Sequence, residues 1–178
     1  LVDEILQKVA DIPPDLRELI VKSAEGNPFY VEELVRMLLQ DGVIVPGEAC
    51  WRVEMERLRG IRVPPTLTGV LQARLDSLPP DERGLLQRAA VVGRQFWDAV
   101  LVNLGAVPGE DIGGELEAVA GRELVLHRPR SSFAGAREYA FKHALLRDVA
   151  YETVLLKLRR NYHRQVGEWL EAHSGDRL

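Results

Sequence analysis

Hydrophobic side chains recur every three or four residues through most of the chain, which is the spacing of amphipathic helices. Early in the chain this pattern predicts helices over residues 1–10, from residue 14 onward, and over residues 29–40. The third helix has the clearest apolar stripe, formed by Val31, Leu34, Val35 and Leu38. Glu32 and Arg36 lie four residues apart on its other side, where opposite charges at this spacing stabilise a solvated face.

A three-residue corner, Gly26-Asn27-Pro28, separates the second of these helices from the third. Glycine often ends a helix because it adopts the left-handed conformation without a Cβ clash. Asparagine is a favoured N-cap, since its side-chain oxygen accepts a backbone N–H of the first turn. Proline fits the first helical position, where a missing N–H costs nothing. We therefore predict a sharp corner, although the same residues are typical of an ordinary helix junction.

Short strands are predicted where the helical spacing is interrupted. Residues 43–45 and 50–53 flank a Pro-Gly turn and are expected to form a β-hairpin. Residues 54–63 are charged and lack a pattern, so we expect an irregular connector that ends at Pro64-Pro65.

Residues 66–141 are predicted to form several helices and one two-stranded ribbon. Thr66 is expected to cap the first helix. The later helices are predicted over residues 82–92, 96–104 and 111–122, and the strands over residues 124–126 and 138–141. Three short helices followed by a ribbon is the winged-helix arrangement, a variant of the helix-turn-helix.

Helices return at the end of the sequence. Residues 144–158 are predicted to form one helix that is apolar on more than one side. A further helical stripe is formed by Tyr162, Val166, Trp169 and Leu170. The predicted fold class is therefore mainly α: a helical bundle, then a winged-helix domain with small β-hairpins, then C-terminal helices.

Composition narrows the class of protein. Of 178 residues, 46% are hydrophobic and 28% are charged, which describes a globular chain. The net charge of -4 does not favour nucleic acid or an anionic membrane, and no apolar run is long enough to span one. Cys50 is the only cysteine, so we expect no disulfide, no thiolate zinc cluster and a cytoplasmic setting. The start at Leu1, without an initiator methionine, suggests a piece of a longer chain.

Motifs of enzymes and metal sites are missing from the sequence. None of the four lysines follows a glycine, so there is no P-loop. The histidines His127, His143, His163 and His173 lack metal-binding spacing, and no Gly-x-Ser-x-Gly elbow occurs. Acid pairs such as Glu32-Glu33 are expected on solvated helix faces. We therefore predict no catalytic residues, no metal site and no enzymatic activity in this part of the protein.

A winged helix raises the alternative of DNA binding. The helix that would enter the major groove is predicted over residues 111–122. The charged residues in it and just before it are all acidic until Arg122, namely Glu110, Asp111, Glu115 and Glu117. Recognition helices need the opposite charge. The wing is basic, with His127, Arg128, Arg130 and Arg137, so contact with the DNA backbone stays open. A second basic set, Lys157, Arg159, Arg160 and Arg164, is typical of a solvated helix face.

His143 follows a predicted strand and precedes a predicted helix, next to Lys142. A helix N-terminus with a histidine and a lysine beside it can hold an anion. Spacing alone favours a histidine that caps or packs the helix over an anion ligand.

Four segments in this order resemble the STAND class of AAA+-like signalling ATPases, in the branch attached to bacterial adenylate/guanylate cyclases and LuxR-type regulators. They are residues 26–34 (GNPFYVEEL), 63–67 (VPPTL), 73–79 (ARLDSLP) and 141–151 (FKHALLRDVAY). The resemblance implies a lid over residues 1–42, a β-hairpin and linker over 43–65, a winged helix over 66–141, and C-terminal helices over 142–178.

The resemblance also implies a nucleotide site shared with other parts of a longer protein. Gly26, Asn27 and Pro28 would lie at the adenine, with Pro28 stacked against the base, and His143 would reach the phosphates of ADP. Lys142 and Ala144 differ from the Met-His-Asp triplet in which that family often places the histidine.

The implied role is ADP/ATP sensing and autoinhibition within a signal-transduction ATPase. ATP or ADP would bind only together with an upstream P-loop core, and not to this piece alone. The implied partners are that core, downstream helical repeats, and an output cyclase or DNA-binding domain. Two alternatives remain: a winged-helix DNA-binding regulator, and a protein-interaction scaffold that no longer binds nucleotide.

Overall fold

A computed structural model describes residues 9, 12–24, 26–48, 50–105, 112–173 and 175. The helix predicted over residues 1–10 lies outside this part, apart from Val9, which pairs with Trp51 in an isolated parallel bridge. The chain forms two compact units, Leu1–Arg74 and Leu75–Leu178. Each unit is a mainly helical body with one small sheet.

The first unit is built on two helices that meet at the predicted corner. Its elements are α1 (Pro14–Ala24), α2 (Pro28–Gln40), β1 (Ile44–Val45), β2 (Arg52–Val53), α3 (Met55–Gly60) and the start of α4 (Leu67–Asp76). The strands β1 and β2 pair antiparallel, so the hairpin is confirmed. The core packs Leu16 and Ile20 of α1 against the α2 stripe, all four residues of which are buried as predicted.

The connector predicted over residues 54–63 is wrong in part, because α3 lies within it. In this six-residue helix Leu58 is buried in the core and Met55 packs against the core. These two apolar side chains hold α3 against the first unit. Arg57 also donates from Nη1 to the carbonyl of Asp41 at 3.1 Å, beyond the end of α2. Within the six residues of α3 only Met55 and Leu58 are apolar, which is too few to show a helical period in the sequence.

The described part of the second unit follows the order helix, strand, helix, helix, strand, strand, helix, helix. Its elements are α5 (Pro80–Val92), β3 (Gln95–Trp97), α6 (Asp98–Asn103), α7 (Ile112–Gly121), β4 (Val125–His127), β5 (Glu138–Phe141), α8 (Ala144–Glu152) and α9 (Leu156–Ala172). The three strands form an antiparallel sheet in the order β3-β5-β4.

The helix predicted over residues 96–104 is wrong at its start, since β3 precedes α6. Phe96 pairs with Tyr139 across the sheet and is fully buried, with its ring stacked 5.9 Å from that of Tyr139. Asp98 then begins the helix. The strand depends on pairing with a partner more than forty residues away, which no local pattern reveals.

The single helix predicted over residues 144–158 is also wrong, because the chain breaks between α8 and α9. The Thr153 hydroxyl donates to the Ala150 carbonyl at 2.6 Å and accepts from Gln87 of α5 at 3.0 Å. Leu155 is extended (ψ 137°) before α9 begins. Of the predicted α9 stripe, Val166 and Trp169 are buried and Leu170 is exposed.

The mainly α fold class with small β-hairpins is confirmed. Among the described helices, none combines the length and the apolar character needed to cross a bilayer.

Candidate functional site

The corner at residues 26–28 has the predicted geometry. Gly26 is left-handed, with φ of +82°, and a Cβ placed there would have no neighbour within 4 Å. The Asn27 side-chain oxygen accepts from the backbone N–H groups of Phe29 and Tyr30, at 3.1 and 3.4 Å. Pro28 opens α2. All three corner residues are exposed, so a ligand could reach their backbone and the proline ring.

Tyr30 anchors the corner to the rest of the first unit. Its ring is buried, and its hydroxyl donates to the carbonyl of Pro64. Burial raises the pKa of this hydroxyl above its usual value, so it stays protonated as a donor. The bond joins two of the segments that carry the resemblance, residues 26–34 and 63–67.

A buried ion pair makes a second such connection. Glu33 of α2 and Arg74 of α4 are 1% and 3% exposed, and the guanidinium of Arg74 binds the Glu33 carboxylate. Arg36 adds a contact at 3.3 Å to Glu33 and one at 2.6 Å to Glu32. Three of the four resembling segments are therefore joined within the first unit.

The expectation that Glu32-Glu33 forms a solvated acid pair is wrong for Glu33. The burial of Glu33 could have been predicted from the sequence, because Tyr30, Glu33 and Met37 follow helical spacing along the buried face. A charge on an apolar face needs a buried partner, and the sequence could not identify Arg74 as that partner.

His143 occupies the N-cap position of α8, where its backbone is extended and its side chain makes no cap hydrogen bond. The residue is half-buried and its Nε2 atom is shielded from solvent. A phosphate would therefore have to bind at Nδ1, or the ring would have to rotate. The neighbouring Lys142 is the second cation of the predicted anion site. Its ammonium group forms a 2.5 Å salt bridge with Glu123, so its charge is already paired.

The predicted nucleotide residues are thus divided between the two units. Gly26, Asn27 and Pro28 lie in the first unit and His143 lies in the second. Their contact with one nucleotide stays a prediction.

The arginines of the predicted wing are largely paired with carboxylates. Arg128 binds Glu138 at 2.9 Å, and Arg137 binds Asp98 at 2.8 Å. An arginine that is already paired with a carboxylate neutralises less phosphate charge and therefore releases fewer counterions from DNA. Its contribution to DNA binding is smaller. The predicted acids Glu110 and Asp111 lie outside the described residues.

Glu138 gives the second unit a specific pH dependence. Burial by itself raises its pKa, but hydrogen bonds from the Ser132 hydroxyl and amide and from Trp97, with the charge of Arg128, hold the pKa below its usual value. A depressed folded-state pKa stabilises the unit above the unfolded value near 4.5, and this contribution is lost as pH falls through the folded-state pKa.

We expect Glu138→Gln to lower the free energy of unfolding by about 1–3 kcal/mol at pH 7, because a buried charge-assisted network is lost. The variant should also lose less stability than the natural protein between about pH 5 and pH 3. Urea unfolding at a series of pH values measures both effects. Parallel stability curves for the two proteins would contradict the assignment.

The basic set on α9 is partly occupied as well. Arg159 donates to the carbonyls of Val154 and Glu152, at 2.7 and 2.8 Å, and its guanidinium carbon lies 4.4 Å from the ring centre of Tyr151. Arg164 forms a 2.8 Å salt bridge with Glu168 on the same helix. These contacts favour the prediction that this basic set belongs to a helix face and is not a nucleic-acid site.

No cluster of three or more potential metal ligands occurs within the described ranges. A family described as Domain of unknown function (DUF8739) matches residues 4–46, which include α1, the corner and α2. This is less than half of the chain, and the description assigns no activity. No curated protein matches the sequence.

Proposed function

We propose that this chain is the lid and winged-helix portion of a nucleotide-dependent signalling ATPase, in which it senses ADP or ATP and holds the protein inactive. The P-loop core would precede it in the same polypeptide. The observation that carries the proposal is the exposed corner at residues 26–28, whose backbone is held by the Asn27 cap, the Tyr30 hydrogen bond and the Glu33–Arg74 pair.

Preorganisation is what suits this corner to recognise a flat base. Pro28 presents a rigid apolar ring, and Gly26 leaves open space beside it. A surface that is ordered before binding loses little conformational entropy when the ligand arrives. The element order of the second unit supports the winged-helix part of the proposal.

The proposed mechanism is a two-state switch. With ADP bound, the corner and His143 contact the nucleotide and stabilise a closed arrangement. ATP changes these contacts, and the winged helix moves away to release an output domain. A ligand shifts such an equilibrium only through its different affinities for the two states.

We expect His143→Ala to weaken ADP binding about tenfold or more in a longer protein that includes the nucleotide-binding core. A charge-assisted hydrogen bond to phosphate is worth roughly 1.5–3 kcal/mol, which corresponds to this change. Titration with a fluorescent ADP analogue measures the affinity, and the 178-residue chain alone should not bind.

His163→Ala is the matched control. This histidine of α9 is exposed, and its Nε2 atom forms a 3.0 Å hydrogen bond with the Tyr151 hydroxyl. The replacement should leave ADP affinity unchanged. Equal affinity of the His143→Ala and natural proteins would contradict the phosphate role. No ADP binding even by the longer protein would favour the scaffold alternative.

The DNA-binding alternative has less support. Arg128 and Arg137 of the wing are paired with acids, and α7 carries Glu115 and Glu117. Salt-dependent binding of duplex DNA by this chain at low ionic strength would revive it.

A further inference from the structure

A pocket of about 490 Å³ lies in the second unit, between α5, the α8–α9 connection and the start of α9. This volume is in the range of roughly 300–1,000 Å³ that is common for small-molecule sites. The side chains that decide its chemistry are Asp81, Arg88, Leu155, Leu158 and Tyr162. The nucleotide proposal uses none of them.

Arg88 provides a cation on the pocket wall. Its Nη1 donates to the carbonyl of Gly84 at 3.0 Å, and its guanidinium carbon lies 5.6 Å from the ring centre of Tyr162. Its Nε is buried and makes no hydrogen bond, and no described carboxylate lies within ion-pair distance of the guanidinium. A guanidinium held in place without an anion is suited to bind a carboxylate through its remaining N–H groups.

Asp81 provides the opposite charge on the same helix face. It lies seven residues before Arg88, or about 10 Å along the helix axis. Gly84 lies between them, and a Cβ there would come within 3.0 Å of the Arg88 Nη1 atom. The missing side chain leaves room for the Arg88 guanidinium, which reaches back along the helix to Gly84, three residues from Asp81.

The facing wall is apolar. Leu155 and Leu158 line the pocket and remain 71% and 41% exposed. The hydrogen bonds of Thr153 to Gln87 and Ala150 hold the α8–α9 connection, and with it Leu155, against α5. Exposed leucines beside a pocket indicate a ligand with an apolar part.

We propose that this pocket binds a free α-amino acid with an aliphatic side chain. Arg88 binds the α-carboxylate, Asp81 binds the α-ammonium group, and Leu155, Leu158 and the Tyr162 ring contact the side chain. This site is independent of the nucleotide proposal, because the pocket is lined by none of Gly26, Asn27, Pro28 and His143. It gives the protein a candidate small-molecule input.

Isothermal titration of the 178-residue chain with leucine tests the proposal, and we expect a dissociation constant of about 0.1–1 mM for a ligand of this size in an open pocket. Leucinamide lacks the carboxylate and should bind at least tenfold more weakly. N-acetyl-leucine lacks the ammonium group and should bind about two- to fivefold more weakly, because Asp81 is exposed and exposed ion pairs contribute little. Serine should also bind more weakly than leucine.

Arg88→Met keeps the apolar stem of the side chain and should weaken leucine binding at least tenfold. Arg83→Met is the matched control on the same helix, since Arg83 does not line the pocket and has only an exposed 3.9 Å pair with Asp76. Circular dichroism checks that both variants are folded. Equal leucine affinity of Arg88→Met and the natural protein, equal binding of leucine and leucinamide, or no binding of leucine at 10 mM would each overturn the proposal.

Discussion

Replacing Glu33 by glutamine should lower the free energy of unfolding of the first unit by about 3–5 kcal/mol, because the buried guanidinium of Arg74 would lose the carboxylate charge of Glu33. The glutamine amide can still accept a hydrogen bond, so the loss isolates the charge. Arg36 contacts the same carboxylate at 3.3 Å and adds to the effect. Chemical denaturation followed by Trp51 fluorescence measures it, since Trp51 is the only tryptophan in residues 1–74.

Glu32→Gln is the matched control on the neighbouring residue. Glu32 binds Arg36 near the surface, where an ion pair contributes about 0–1 kcal/mol. The double replacement of Glu33 by leucine and Arg74 by methionine should recover much of the lost stability, because no charge remains buried. A loss below 1 kcal/mol for Glu33→Gln would mean that water reaches the pair in solution.

Phe96→Ala should destabilise the second unit by about 3–5 kcal/mol, the usual cost of truncating a buried aromatic side chain. The ring of Phe96 on β3 is fully buried, 5.9 Å from the ring of Tyr139 and 5.5 Å from that of Phe141, both on β5. Its loss removes the apolar contact that holds β3 onto β5. Thermal and urea unfolding monitored by circular dichroism measure the change.

Val102→Ala provides the comparison in the adjoining helix α6. Val102 is 61% exposed, and we expect its truncation to change stability by less than about 0.5 kcal/mol. Similar losses for the two variants would be inconsistent with a core centred on Phe96.

The two connections made by Tyr30 and Glu33 bear on how the candidate site works. They tie α2, the helix that follows the corner, to Pro64 and to Arg74, so a displacement of α2 would break these contacts. A rigid corner suits a contact that distinguishes two ligand states, because small displacements of the ligand are then not absorbed by the protein.

Features set by local chemistry were predictable from the sequence. The left-handed Gly26, the Asn27 cap and the buried stripe of α2 depend on residues within one or two turns of each other. The hairpin and strand β5 were also predictable, because short apolar runs flanked by turn residues define them.

Features that depend on distant partners were decided by tertiary structure. Phe96 forms a strand only because Tyr139 lies opposite, and Glu33 is buried only because Arg74 reaches it. Thr153, at the break between α8 and α9, accepts a hydrogen bond from Gln87 of α5. Each partner lies more than forty residues away, beyond the reach of propensity and periodicity. Most helices, the hairpin and β5 could therefore be predicted from the chain, whereas β3, the break between α8 and α9, the buried charge pair and the pocket were decided by packing.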